Sequence, residues 1–133
     1  MKLYTIVLLA ILLSTDAMAQ KTAIDTGKKF IGLLFTKNYS KAVELVDASV
    51  TDQINEKALE KIEIALITSL GEFIKPVSYR QDSDTEYKII YYYCKFSKSN
   101  MDLKLVFNDN SKVVGFYVFE HKKKDNGYLS INE

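Results

Sequence analysis

Apolar residues recur every three or four positions in the first half of the chain, which is the spacing of amphipathic helices. In residues 22–37 this spacing gives one apolar stripe, while Lys28 and Lys29 face the other way. The stripe consists of Ala23, Gly27, Phe30, Ile31 and Leu34. The pattern predicts a first helix over residues 22–37 that buries one face.

Two further helices are predicted between residues 38 and 71. Asn38 and Asn55 stand where the side chain of an N-cap would begin each helix, and Gly71 stands where a left-handed residue would end the third. The polar segment 47–54 connects the two helices. The apolar stripes are Tyr39, Ala42, Val43 and Val46 in the second helix, and Leu59, Ile62, Leu66 and Leu70 in the third.

After Gly71 the period changes to the alternation that is typical of strands. Residues 73–81 form a first predicted strand, which Pro76 assigns to a sheet edge or a bulge because proline cannot donate to the ladder. A polar turn over residues 81–86 precedes a strand over 86–98, which is apolar on both faces and therefore central. One face of this strand carries Ile89, Tyr91 and Tyr93, and the other carries Ile90, Tyr92, Cys94 and Phe96.

Two more strands complete a predicted antiparallel meander. Residues 101–107 alternate apolar and polar, residues 108–111 form a hairpin loop, and residues 112–120 carry Gly115 at a position typical of a bulge. Residues 128–131 could add a short edge strand. Helices followed by strands indicate an α+β fold, in which three N-terminal helices pack on a curved antiparallel four-stranded sheet and enclose a cone-shaped cavity.

The N-terminus has the pattern of a signal peptide rather than of a folded element. Lys2 precedes an apolar run over residues 3–13, and Ala17-Met18-Ala19 fits the small-x-small rule for cleavage. The run is shorter than the roughly 20 residues of a membrane span. We therefore predict a signal peptide over residues 1–19, an α+β domain over 20–121 and a polar tail over 122–133, in an exported protein, periplasmic or extracellular, with no membrane span after cleavage.

Charge and cysteine content narrow the class of protein. Eighteen basic and 17 acidic residues give a formal charge of +1, whereas nucleic-acid binding usually requires a strongly basic face, so no nucleic-acid partner is expected. Cys94 is the single cysteine, which excludes an intramolecular disulfide. Its phase with Tyr92 and Phe96 predicts a buried, unreactive thiol.

Packing and turn residues carry a resemblance that covers nearly the whole chain after the leader. They are Phe30, Asn38-Tyr39-Ser40-Lys41-Ala42, Leu59, Gly71-Glu72-Phe73, the tyrosine-rich central strand and Val113-Val114-Gly115-Phe116. With these residues the chain resembles the nuclear transport factor 2-like (cystatin-like) superfamily and, more narrowly, the exported bacterial domain-of-unknown-function family 3887. The resemblance implies a conical α+β fold, but the chain lacks the tryptophan that the family often has in its third helix.

Catalytic and metal-binding signals are weak. His121 is the one histidine and falls in a charged strand end that also contains Lys122, Lys123 and Lys124, a cluster that we interpret as a solvated tail. Zinc sites need several Cys or His ligands, and no calcium-type acidic loop is present in the sequence. We therefore expect no catalytic residues, no metal site and no cofactor.

Three hypotheses for function remain. A binding module would hold a small apolar or peptide-like ligand in the cavity, a structural protein would form a homodimer through its sheet face, and an isomerase-like or hydrolytic enzyme would combine a cavity tyrosine with an acid. The expected cavity wall is Phe30, Leu34, Leu66, Tyr91 and Tyr93. The dimer is suggested by the sheet aromatics Tyr79, Tyr117 and Phe119, and the enzyme would need one of Asp47, Asp52 and Glu63, none of which the pattern directs inward.

Overall fold

The computed structural model describes residues 2–83, 86–121 and 127–131. Three helices precede a five-stranded antiparallel sheet with which they are in contact, so the predicted α+β class is confirmed. The helices are α1 (Lys2–Phe35), α2 (Tyr39–Val43) and α3 (Glu56–Leu70), with a 3₁₀ turn at Ala48–Val50. The strands are β1 (Phe73–Ser83), β2 (Lys88–Phe96), β3 (Asn100–Phe107), β4 (Val113–Phe119) and β5 (Leu129–Ser130).

The first helix differs from its prediction at both ends. It begins before residue 22 and ends at Phe35, because Lys37 adopts a left-handed φ of 63°. The amide of Lys37 donates to the carbonyl of Leu34, and that of Asn38 donates to the carbonyl of Leu33. These are the two hydrogen bonds of a Schellman motif, which ends the helix and satisfies its last carbonyls.

The two asparagines predicted as N-caps behave differently. The side chain of Asn55 accepts from the Ala58 amide at 2.9 Å, so the cap of α3 is confirmed. The side chain of Asn38 donates to Thr36 Oγ1 at 2.8 Å and makes no cap hydrogen bond to α2, so that prediction was wrong. The side-chain amide of Asn38 is hydrogen-bonded to the end of α1 instead of to α2.

Gly71 ends α3 with a φ of +85°, as its position in the sequence predicted. A side chain there would also collide with Ser97 Oγ and come within 3.1 Å of the Lys98 backbone. The amide of Lys98 in turn donates to the carbonyl of Leu70. Gly71 thus lets α3 approach the β2–β3 turn closely while the chain enters the sheet.

The sheet order is β4-β3-β2-β1-β5, which places β2 in the middle as predicted. Register shifts on both sides of Pro76 confirm its bulge. β1 runs on to Ser83 and takes up residues expected in a turn. The possible tail strand is present: β5 pairs with β1 at Ser78 and Tyr79, so the sheet has five strands where four were counted.

The hydrophobic core lies between the helices and one face of the sheet, here called the inner face. All five residues of the α1 stripe are buried, and the largest of them, Phe30, contacts Phe116 of β4 edge to face with ring centroids 5.5 Å apart. From β2 the inner face receives Ile90, Tyr92, Cys94 and Phe96, all buried. The burial predicted for Cys94 is therefore confirmed, and desolvation raises the pKa of its thiol.

Candidate functional site

The five residues predicted to form one cavity wall are divided between the two faces of the sheet. Phe30, Leu34 and Leu66 are buried in the core between the helices and the inner face. Tyr91 and Tyr93 flank the buried Tyr92 in β2 and therefore point to the opposite side, here called the outer face. The placement of these two tyrosines in the helix-covered wall was wrong, because it is Tyr92 that faces α1.

Two cavities lie at the margins of the core. One, of about 430 Å³, lies where α1 meets β1 and β5, and its lining includes Lys21, Asp25, Lys28 and Tyr79. The other, of about 220 Å³, lies between α3 and β4. Neither is lined by Phe30, Leu34 or Leu66, so these three side chains serve as core in the structure.

A row of alternating cations and aromatic rings crosses the outer face. Arg80 pairs in register with Tyr91, Tyr91 with Lys104, and Lys104 with Tyr117, so the row spans β1 to β4. The Arg80 guanidinium lies 4.3 Å from the Tyr91 ring centroid, and Lys104 Nζ lies 5.7 Å from Tyr91 and 5.4 Å from Tyr117. Phe119 lies 5.9 Å from the same ammonium. These distances are within the range of cation–π attraction, which orders the long basic side chains against the sheet.

The neighbouring row contains a buried carboxylate at one of the polar positions of the alternating segment 101–107. Asp102 is only 3% exposed. It contacts His121 Nδ1 at 2.9 Å and accepts from the Tyr128 hydroxyl at 2.7 Å. A buried carboxylate is stabilised by such partners, and both partners come from the chain after β4. Residues 127–131, here called the C-terminal segment, are thus anchored to the outer face through Tyr128.

His121 is part of this anchor and is not at a solvated strand end, which corrects the prediction. Its ring stacks on Tyr93 with centroids 3.9 Å apart and meets Tyr128 edge to face at 5.0 Å. The hydroxyl of Tyr93 accepts from Asn100 Nδ2 at 2.7 Å. Burial, followed by the hydrogen bond to Asp102, raises the pKa of Tyr128. The cluster Lys122-Lys123-Lys124 lies outside the described residues.

Positive charge predominates on the outer face. Lys75 and Lys95 pair across β1 and β2 on the same face, and both are exposed. Asp82 pairs with Arg80 at 2.8 Å, and the charge of Asp102 is covered by the C-terminal segment. The Nε of Arg80 is buried and finds no partner among residues 2–83, 86–121 and 127–131.

Two of the acids considered for catalysis have structural roles. Glu63 is buried at 3% exposure and accepts a hydrogen bond from the Tyr39 hydroxyl, which joins α3 to α2 and corrects the expectation that no acid points inward. Asp47 accepts from the amide and hydroxyl of Ser49 and from Asn108, and the hydrogen bonds from Ser49 lower its pKa. Within the described residues, no group of three or more His, Cys, Asp and Glu side chains is arranged to hold a metal ion.

The aromatics that suggested a dimer are also divided. Tyr117 and Phe119 lie on the outer face and are 51% and 47% exposed. Tyr79 pairs with Tyr92 and packs against the core, so its assignment to the open face was wrong. In the part of the chain that the structure describes, no helix is both long and apolar enough to cross a membrane.

One family model, described as protein of unknown function (DUF3887), matches residues 27–116, which is more than half of the chain. The chain belongs to the DUF3887 family. No curated protein and no solved structure matches it. The DUF3887 match begins at Gly27, against which Tyr92 packs, and ends at Phe116, before the exposed aromatics and the anchor residues His121 and Tyr128.

Proposed function

We propose that this DUF3887 chain is an exported, non-catalytic binding domain of the nuclear transport factor 2-like class. Its binding surface is the outer face of the sheet, and its ligand is an acidic segment of a partner protein. The cross-strand row Arg80–Tyr91–Lys104–Tyr117 is the observation that carries this proposal.

The row supports binding because its side chains are ordered by one another while Tyr117 remains half exposed. A cation held between aromatic rings loses little side-chain freedom when it pairs with a carboxylate. Aromatic side chains beside it supply contact area at low entropic cost, as they do at many protein interfaces.

The charge of the outer face supports an acidic partner rather than a second copy of the chain. The cations Lys75, Arg80, Lys95 and Lys104 share this face. A face-to-face homodimer would bring these like charges together, which costs free energy, whereas carboxylates from another protein would be attracted. The small-ligand alternative has less support, because the larger cavity is lined by Lys21, Asp25 and Lys28 and is not the apolar enclosure that the hypothesis requires.

Export is supported by the apolar run over residues 3–13 and the cleavage pattern Ala17-Met18-Ala19. Mass analysis of the exported protein should give an N-terminus at Gln20. An intact leader in exported material would contradict this part of the proposal.

Binding can be tested with a random glutamate–tyrosine copolymer as the probe and a neutral glutamine–tyrosine polymer as its control. The natural chain should bind the acidic probe more tightly, with a preference that falls as salt rises. Lys104→Gln should weaken binding several-fold, since it removes the cation that lies between Tyr91 and Tyr117. Lys61→Gln, at an exposed position of α3, should leave binding unchanged.

Equal binding of the two polymers, or equal loss in the two variants, would overturn the proposal. Light scattering, which measures the oligomeric state, distinguishes an acidic-partner surface from a homodimer interface. A dimer of the natural chain that Lys104→Gln dissociates would identify the outer face as a homodimer interface instead.

A further inference from the structure

The strand β4 is an edge of the sheet, and its sequence is unusual for an edge. The seven residues Val113–Phe119 include no charged side chain and no proline. Natural edge strands are usually protected by lysine, proline or a covering element, because their unpaired amides can pair with another chain. Tyr117, Val118 and Phe119 are all exposed.

The first residue of this edge, Val113, already pairs with another segment of the same chain. Val46 and Val113 form a parallel bridge, in which Val113 donates to the carbonyl of Leu45 and Asp47 donates to the carbonyl of Val113, each at 2.9 Å. The chain then turns away into the 3₁₀ turn at Ala48–Val50. Beyond Val113, within the described residues, no strand or bridge pairs with the free edge of β4, the edge that does not face β3.

The backbone groups that this edge offers follow from the β3–β4 hairpin. Asn108 donates its amide to the carbonyl of Lys112, so Asn108 faces β4. Alternate residues of an antiparallel strand face the same neighbour, so Lys104 and its partner Tyr117 also bond within the β3–β4 ladder. The amides and carbonyls of Phe116 and Val118 therefore point away from β3, toward the free edge of the sheet.

An apolar groove runs beside this edge. The cavity of about 220 Å³ between α3 and β4 is lined on one side by Ile54, Ala58 and Ile62 and on the other by Val114 and Phe116. Gln53 and Tyr117 are the polar residues of its lining, and no charged residue contributes to it. A free edge strand next to an apolar groove is the geometry in which an added strand is held by its backbone while alternate side chains enter the groove.

We propose that β4 binds an extended segment of another protein by strand addition, with apolar side chains at alternate positions of that segment placed in the groove between α3 and β4. This site borders the acidic-segment surface at Tyr117, which lines the groove, but it uses none of the cations of that surface, because its contacts are backbone groups and uncharged side chains. The neutral lining favours an apolar occupant, since a charged side chain buried there would have no partner in the groove.

The experiment selects a random decapeptide display library on the natural mature chain and measures the affinity of the enriched peptides. These peptides should carry apolar residues at every second position, and their binding should slow hydrogen exchange at the amides of Phe116 and Val118. Val118→Pro removes an outward amide without breaking the β3–β4 ladder and should weaken binding about fivefold or more. Val118→Ala keeps that amide and should bind nearly as well.

The groove is tested separately. Ala58→Glu places a charge in the lining and should weaken binding at least tenfold, whereas Ile64→Glu, on an exposed face of α3, should not. If Val118→Pro fails to fold, peptides N-methylated at alternate amides replace it: methylation in one phase should abolish binding and in the other should not.

Enriched peptides that ignore Val118→Pro or the N-methyl phase would overturn the proposal, as would a selection without enrichment. Dimerisation of the natural chain that Val118→Pro abolishes would show that the occupant is a second copy, and would also overturn it. Lys104→Gln should leave these peptides bound, so the outcome is independent of the acidic-segment proposal.

Discussion

Tyr92 lies with its hydroxyl directly against Gly27 of α1 and donates a hydrogen bond of 2.7 Å to the carbonyl of Ile24. The contact joins the middle strand of the sheet to the first helix across 68 residues of sequence. A Cβ atom at Gly27 would collide with the Tyr92 hydroxyl. Helix α1 therefore approaches the sheet this closely because residue 27 has no side chain.

Gly27→Ala should destabilise the protein by about 1–3 kcal/mol, the usual effect of forcing extra volume into a packed core. Gly32→Ala provides the matched control. Gly32 is exposed in the same helix, and a Cβ atom added there would meet nothing beyond that helix within 4 Å. This change should stabilise the chain by about 0.5–1 kcal/mol through helix propensity. Urea unfolding of both variants measures the difference, and equal effects would show that Tyr92 does not press on Gly27.

Phe30→Ala should cost about 3–5 kcal/mol of unfolding free energy, because Phe30 is completely buried and its ring packs against Phe116. Tyr117→Ala, at a half-exposed position, should cost much less. A small penalty for Phe30→Ala, together with a ligand recovered from the natural protein by native mass spectrometry, would instead support a partly open cavity at this wall.

Asp102→Asn should loosen the C-terminal segment. The variant keeps the volume of the side chain but loses the negative charge of the carboxylate. In the natural chain this carboxylate contacts His121 and accepts a hydrogen bond from the Tyr128 hydroxyl. Hydrogen exchange at Leu129, Ser130 and Ile131 should quicken, because β5 is only two residues long and depends on this anchor.

Tyr128→Phe is the milder companion of that change. It removes the hydroxyl and keeps the ring that packs against His121, so it should lower stability by about 1 kcal/mol. Unchanged exchange of β5 in both variants would show that strand pairing alone holds the segment.

The stability of the protein should fall as pH rises from 10 to 12. Burial, and then the hydrogen bond to Glu63, raise the pKa of Tyr39 from 10.0 to about 12. The unfolded chain loses this proton near pH 10 and the folded chain keeps it to about pH 12, so unfolding becomes more favourable across that interval. The contribution is fully present below pH 10.

Tyr39→Phe should make this alkaline decline shallower and lower stability by about 1–3 kcal/mol at pH 7, because Glu63 would remain buried without its donor. The measurement is the free energy of unfolding against pH for both proteins. An identical alkaline slope in the two would contradict the assignment to Tyr39.

The pattern of apolar residues determined the order of helices and strands, the buried stripe of α1, the central place of β2 and the burial of Cys94. These features depend on periodicities of 3.6 and 2, which act within a single element and are visible in the sequence. The helix end at Gly71 and the bulge at Pro76 could also be predicted, because the backbone restrictions of these residues are intrinsic. The hydrogen-bond partner of Asn38 could not be predicted, since its side chain could bond either to α2 or to the end of α1, and in the structure it bonds to the end of α1.

The tertiary structure alone decided which face of β2 the helices cover. Alternation separates Tyr92 from Tyr91 and Tyr93, but both faces of β2 are apolar, so the pattern could not say which face the helices cover. In the structure the absence of a side chain at Gly27 leaves room for the Tyr92 hydroxyl against α1. Tertiary structure also brought His121 and Tyr128 to Asp102, from positions 19 and 26 residues away. Asp102 occupies a polar position of an alternating strand and looks solvated in sequence, and its burial depends on which distant residues fold over it.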